Sequence, residues 1–221
     1  AFTRREGFEE AGCSGVGADA ARVTGALLWD SSVVLARLFS RHHSLLLGPG
    51  ARVLELGAGL GLCGLAAAAA GYQTFLTDRP EVLPLTCSCL ADNAKAIEQA
   101  SGKINTVQVL PLMWGDAEAA ASLNPPFDCI LMADCIYELE SIPHLVACLL
   151  QLSSPETRIL CAYDADIGRH AAYAGFDVAV ASAGFAATPL DPLQVAPCAS
   201  LLQPLVKPSV VLQQLRLREK S

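Results

Sequence analysis

The chain of 221 residues is 52% apolar and 17% charged, with a mean hydropathy of +0.40; this supports one domain with a full core and excludes disorder as its main state. Its formal net charge is −7, and apart from Arg4-Arg5 the basic residues are scattered singly, so the basic stripe of a nucleic-acid-binding protein is missing. The longest uncharged apolar run of helical character, Leu60 to Gly71, falls short of the ~20 residues a bilayer requires, so no membrane is expected as a partner.

In chain order, Ala1 to Glu10 (AFTRREGFEE) lacks the apolar stretch of a secretory signal. The chain does not begin with Met, so a fragment or a processed chain is expected, and residues 1–23 read as an N-terminal extension of a domain over 24–221. Arg52 to Leu56 is a short apolar run of the kind that forms a buried parallel strand. An alanine-rich helix, Leu60 to Ala70, follows and is closed by Gly71. Thr74 to Thr77 is the next strand. Pro80 suits the first turn of a helix running to about Ala96, and Pro84 is either tolerated early in that helix or kinks it.

Further strands are expected at Thr106 to Leu110, Asp128 to Met132 and Arg158 to Ala162. Between the last two lies a helix, Ile142 to Leu152, with Leu145, Leu149 and Leu152 on one face. Arg169 to Ala183 reads as a helix because Ala172, Phe176 and Val180 recur at helical spacing and Gly184 provides a stop. Two final strands, Phe185 to Leu190 and Val210 to Arg216, flank a loop bearing Pro192, Pro197, Pro204 and Pro208. This alternation predicts an α/β fold, a doubly wound and mostly parallel sheet of seven strands with an antiparallel C-terminal strand and helices on both faces. Ligands of such sheets bind beyond the carboxyl ends of the strands, where the strand order reverses.

Nine cysteines are an odd count, and Cys87-Ser-Cys89, their one close pair, lacks the spacing of a zinc knuckle. Cys63, Cys129, Cys135, Cys148 and Cys161 sit in apolar segments, where a free thiol behaves as a small hydrophobe. The expectation is free thiols in a reducing, cytoplasmic compartment and no metal site.

The segment ELGAGLG (Glu55 to Gly61) joins a strand end to a glycine turn and a helix. Glycines there let the backbone turn sharply and let a ligand lie against it. A GxGxxG pattern also starts at Gly59, two residues late for the usual dinucleotide turn. Asp78 follows Gly57 by 21 residues, at the end of the second strand. After such a loop it suits hydrogen bonds to a ribose diol, with a helix cap in a turn before Pro80 as the alternative.

VLELGAGLG (Val53 to Gly61) resembles the first motif of class I S-adenosylmethionine-dependent methyltransferases. TGALLWD (Thr24 to Asp30), LMWG (Leu112 to Gly115) and ADCIY (Ala133 to Tyr137) resemble one branch of that class, the seven-β-strand, methyltransferase-like protein-lysine methyltransferases. The likeness runs in order from about Thr24 to Ala183, is weak after Leu190 and is absent before Ala21. It implies a Rossmann-like fold, S-adenosyl-L-methionine as cofactor, and transfer of a methyl group to a lysine side chain of a protein substrate; a monomer is the expectation.

By that resemblance Glu55 holds the methionine amino group or orders the loop that does, while Gly57, Ala58 and Gly59 supply backbone contacts. Asp78 takes the ribose, Trp114 flanks the adenine, Ala133 offers its backbone near the methyl-bearing end, and Trp29 closes the cofactor pocket. Asp134 and Tyr137 sit where a nucleophile meets the methyl group. Asp134 suits a substrate clamp better than a strong base, because a carboxylate raises the pKa of the ammonium it attracts. Tyr137 positions the amine or walls its channel. Taken singly, Trp29 and Trp114 also suit core packing, and Asp134 a helix cap. Two alternatives share these residues: a methyltransferase for small molecules or other side chains, and a non-catalytic S-adenosylmethionine-binding protein.

Overall fold

The computed structural model describes residues 25–102, 107–190 and 209–219. The N-terminal extension, Thr24, Thr106 and the prolines from Pro192 to Pro208 lie outside the described residues. Six helices and seven strands alternate through the described chain: α1 (Asp30–Leu46), β1 (Arg52–Leu56), α2 (Leu62–Ala69), β2 (Gln73–Asp78), α3 (Leu83–Ser101), β3 (Val107–Pro111), α4 (Ala117–Ser122), β4 (Cys129–Ala133), α5 (Ile142–Leu152), β5 (Arg158–Asp164), α6 (His170–Ser182), β6 (Phe185–Pro189) and β7 (Val210–Leu217).

The strands form one sheet in the order β3-β2-β1-β4-β5-β7-β6. The first five are parallel, and β7 runs antiparallel to both β5 and β6. The sheet is therefore the doubly wound, seven-stranded one expected. Its order reverses at β1, which pairs with β2 on one edge and β4 on the other.

Side-chain alternation sorts the core into two layers. Val53, Cys129, Leu131, Leu160 and Ala162 pack with Leu35 and Phe39 of α1 and Ala66 of α2. Leu54, Leu56, Ile130, Met132, Ile159 and Cys161 face the other way, onto Leu145 and Leu149 of α5 and Phe176 of α6. Glu55 shares the parity of Val53, so its carboxylate is carried into the layer beneath α2.

Three local expectations are corrected. No element is predicted between Trp29 and Arg52, yet α1 fills this stretch, burying Ser31, Val34, Leu35, Leu38 and Phe39 on one face. The short α4 is likewise unpredicted; Asp116 caps it by accepting the Ala119 amide at 2.9 Å. The third helix starts at Leu83, not Pro80, because Arg79 to Val82 closes a turn first, with the Val82 amide 2.9 Å from the Arg79 carbonyl. Pro84 lies in its first turn, where no amide donor is missed. All seven described cysteines are free thiols. Among the described residues no helix is long and apolar enough to cross a membrane.

Candidate active site

The glycine loop after β1 is held in place by β2 and α3. The Ala58 amide donates to the Thr77 carbonyl at 2.9 Å, and the Thr86 hydroxyl donates to the Gly59 carbonyl at 2.7 Å. Gly57 and Gly59 adopt φ of 59° and 51°, the left-handed region that favours glycine. A Cβ on Gly59 would lie 2.9 Å from the Gly25 carbonyl oxygen, so the loop and the segment before Trp29 touch backbone to backbone. A Cβ on Gly57 would meet Cys135 Sγ at 3.1 Å and the Trp114 ring at 3.4 Å. Three sequence motifs thus converge on one glycine turn.

A cavity of about 290 Å³ opens there, at the carboxyl ends of β1, β2, β3 and β4. Trp29, Gly57, Ala58, Gly59, Asp78, Trp114, Ala133, Asp134 and Tyr137 all line it. Glu55 does not. It is buried, and its two carboxylate oxygens accept the amides of Cys63 at 3.3 Å and Gly64 at 2.7 Å. These are free N–H groups of the first turn of α2, whose N-cap, Gly61, has no side chain to offer them. Glu55 thus ties the end of β1 to the first turn of α2, and its carboxylate is not part of the cavity lining. Burial pushes this carboxyl up to about 7, against the two amides that favour its ionised form.

Asp78 ends β2 with one oxygen on the Gly59 amide at 2.8 Å and the other on the Arg79 amide at 2.7 Å. It therefore braces the glycine loop while facing the cavity. Burial raises its pKa, opposed by those same two amides.

Asp134 follows β4 with φ of 53°, a left-handed conformation that aspartate tolerates better than most residues. Such strain is concentrated at functional sites. Its Oδ2 accepts the Ser31 hydroxyl of α1, and its Oδ1 accepts the Asp164 amide at 3.4 Å. The carboxyl thus ties α1 to β5 at the cavity wall. Burial raises its pKa to about 6, helped by Asp164 and Asp30 and opposed by the Asp164 amide and Arg169. Tyr137 is 36% exposed, and its ring centre lies 6.1 Å from that of Trp114. Both tryptophans are half-buried at the cavity and so are not simple core residues.

Residues absent from the sequence expectation also belong here. Ser31 directly follows the TGALLWD segment, and its placement on Asp134 had a signal only in that adjacency. His144, in the first turn of α5, and Arg169, at the start of α6, line the cavity without any motif to mark them.

Known proteins resemble the chain as follows. A family model described as lysine methyltransferase matches residues 16–175. Protein N-lysine methyltransferase METTL21A of Danio rerio is 36% identical over 137 residues, covering 61% of this chain and 58% of that protein. Histone-arginine methyltransferase METTL23 of Rattus norvegicus is 33% identical over 135 residues, covering 61% of this chain and 56% of that protein. The chain spans less than two thirds of the length of either relative. The glycopeptide N-methyltransferase MtfA, solved with S-adenosyl-L-methionine, shares the fold with a TM-score of 0.55 at 13% identity, covering 81% of this chain and 86% of that one. With the family match extending over most of its length, the chain belongs to the lysine methyltransferase family, whose cofactor is S-adenosyl-L-methionine.

Proposed function

We propose that this chain is an S-adenosylmethionine-dependent protein methyltransferase that methylates a lysine side-chain amine. The observation that carries the proposal is the placing of Asp134 and Tyr137 beside Trp29 in the one cavity that also holds the glycine loop and Asp78. The residues present fit the cofactor. Asp78 is an acceptor for a ribose diol, the glycine backbone has no Cβ to obstruct a ligand, and two indoles offer flat faces for an adenine and an aliphatic chain. The mouth of the cavity carries exposed Leu27, Leu28 and Met113, an apolar rim suited to a macromolecular surface bearing one long side chain.

When bound, the cofactor supplies a methyl group already activated on a sulfonium. The protein's remaining task is orientation. A lysine amine must lose its proton to act as a nucleophile, which at pH 7 costs about 4–5 kcal/mol in water. With its pKa near 6, Asp134 is largely ionised at pH 7; it attracts the ammonium without being a strong base. The apolar and aromatic rim disfavours the charged amine through desolvation, which acts in the opposite direction. Tyr137 walls the approach.

The test is transfer of labelled methyl from the cofactor to proteins of a lysate, followed by hydrolysis and amino-acid analysis. Label in methyl-lysine is the expected result. Label confined to methylarginine, the residue named in the METTL23 description, overturns the lysine assignment. Cofactor binding with no protein labelling overturns the catalytic one. Asp134→Ala should keep cofactor affinity and lose transfer.

A further inference from the structure

Arg169 is a cavity-lining cation to which neither the motifs nor the chemistry above give a task. It follows Gly168, whose φ is 77°, at the start of α6. Its guanidinium lies 5.3 Å from the ring centre of Trp29 and 5.8 Å from that of Tyr137. Two aromatic faces therefore fix its position. Its Nη1 is buried and, among the described residues, has no hydrogen-bond partner. A buried charged donor left unpaired is costly and rare in folded proteins. Asp134 is near enough for the guanidinium to favour its ionised form, but it accepts no hydrogen bond from Nη1. The other arginine lining the cavity, Arg79, follows β2 and pairs with Glu81 at 3.7 Å. Arg169 stands beyond β4 and β5, on the far side of the glycine loop from Asp78.

We infer that Arg169 binds the α-carboxylate of the cofactor's methionine moiety. S-adenosylmethionine ends in an amino acid whose carboxylate is ionised at every working pH. An arginine fork matches a carboxylate with two parallel N–H bonds, and the vacant Nη1 supplies one of them. With Asp78 on the β2 side and Arg169 on the β5 side, the cavity has an acceptor for the nucleoside end and a donor for the amino-acid end. Arg169 is thereby a positioning residue: holding the carboxylate sets how far the sulfonium lies from Asp134.

This inference rests on S-adenosylmethionine being the cofactor, and calorimetric titration of the full chain separates the two. The probes are S-adenosylmethionine and its decarboxylated analogue, which keeps the adenosine, sulfonium and amine and lacks only the carboxylate. The wild-type chain should bind the first more tightly. Arg169→Met should weaken S-adenosylmethionine about 10- to 100-fold and leave the analogue within about twofold. Arg169→Lys should recover part of the loss, with circular dichroism reporting retained fold. Equal weakening of both ligands, or of neither, overturns the assignment; the first leaves Arg169 only as packing between Trp29 and Tyr137. A wild-type chain that binds neither probe overturns the cofactor reading itself, and this inference with it.

Discussion

Glu55→Gln tests whether the first turn of α2 is held by a buried acid that is neutral for much of the accessible pH range. The carboxyl is 2% exposed and its pKa is raised from 4.5 to about 7, chiefly by burial. That difference corresponds to about 3 kcal/mol between its neutral and ionised forms. The sign follows from proton binding. Between pH 4.5 and about 7 the folded chain holds a proton that the unfolded chain has released. The group's stabilising contribution is therefore fully present below 4.5 and is lost as pH rises through about 7.

Glutamine does not titrate, and it places an N–H₂ opposite one of the two α2 amides, leaving that donor unpaired at a cost of about 1–3 kcal/mol. The wild-type advantage over Glu55→Gln should accordingly be largest near pH 4.5 and shrink by about 3 kcal/mol by about pH 8. Urea denaturation of both proteins across that range, followed by circular dichroism, measures it. An advantage that is constant, or that grows with pH, refutes the reasoning, because the amides of Cys63 and Gly64 would then be holding an ionised carboxylate.

Other consequences are separately measurable. Asp78→Ala removes the acceptor of the Gly59 amide as well as the proposed ribose contact, so cofactor affinity should fall on the order of 100-fold. The chain's two tryptophans both line the cavity, so their emission reports this binding directly; unchanged affinity would remove Asp78 from the site. Gly64→Ala places a Cβ 2.0 Å from Leu76 Cδ2 and 2.8 Å from Glu55 Oε2. It should cost about 1–3 kcal/mol and lower the melting temperature, and an undiminished melting temperature would show that α2 can lift from β2 freely.

Much of this architecture is legible along the chain. β1 and α5 occupy the residues their local patterns predict, because a buried strand and an amphipathic helix each carry their period in adjacent residues. Gly57, Gly59 and Gly61 mark the turn because their left-handed φ values exclude most other residues. α1 is harder to see. Its buried face begins at Ser31 and includes the β-branched Val34, and it gains meaning only against α2 and the strands it covers. α4 is only six residues long, too short to establish a period.

The sequence by itself determined the order of the strands and of the helices α2, α3, α5 and α6, and the motifs that meet at the glycine turn. Only the tertiary structure decided what those residues touch. Ser31 reaches Asp134 across 103 positions, and Arg169 comes to rest against Trp29 and Tyr137. Periodicity records how a side chain points from its own backbone, whereas these contacts depend on how separate elements dock. That docking is set by burial summed over many residues on both faces of the sheet, and no short segment encodes it.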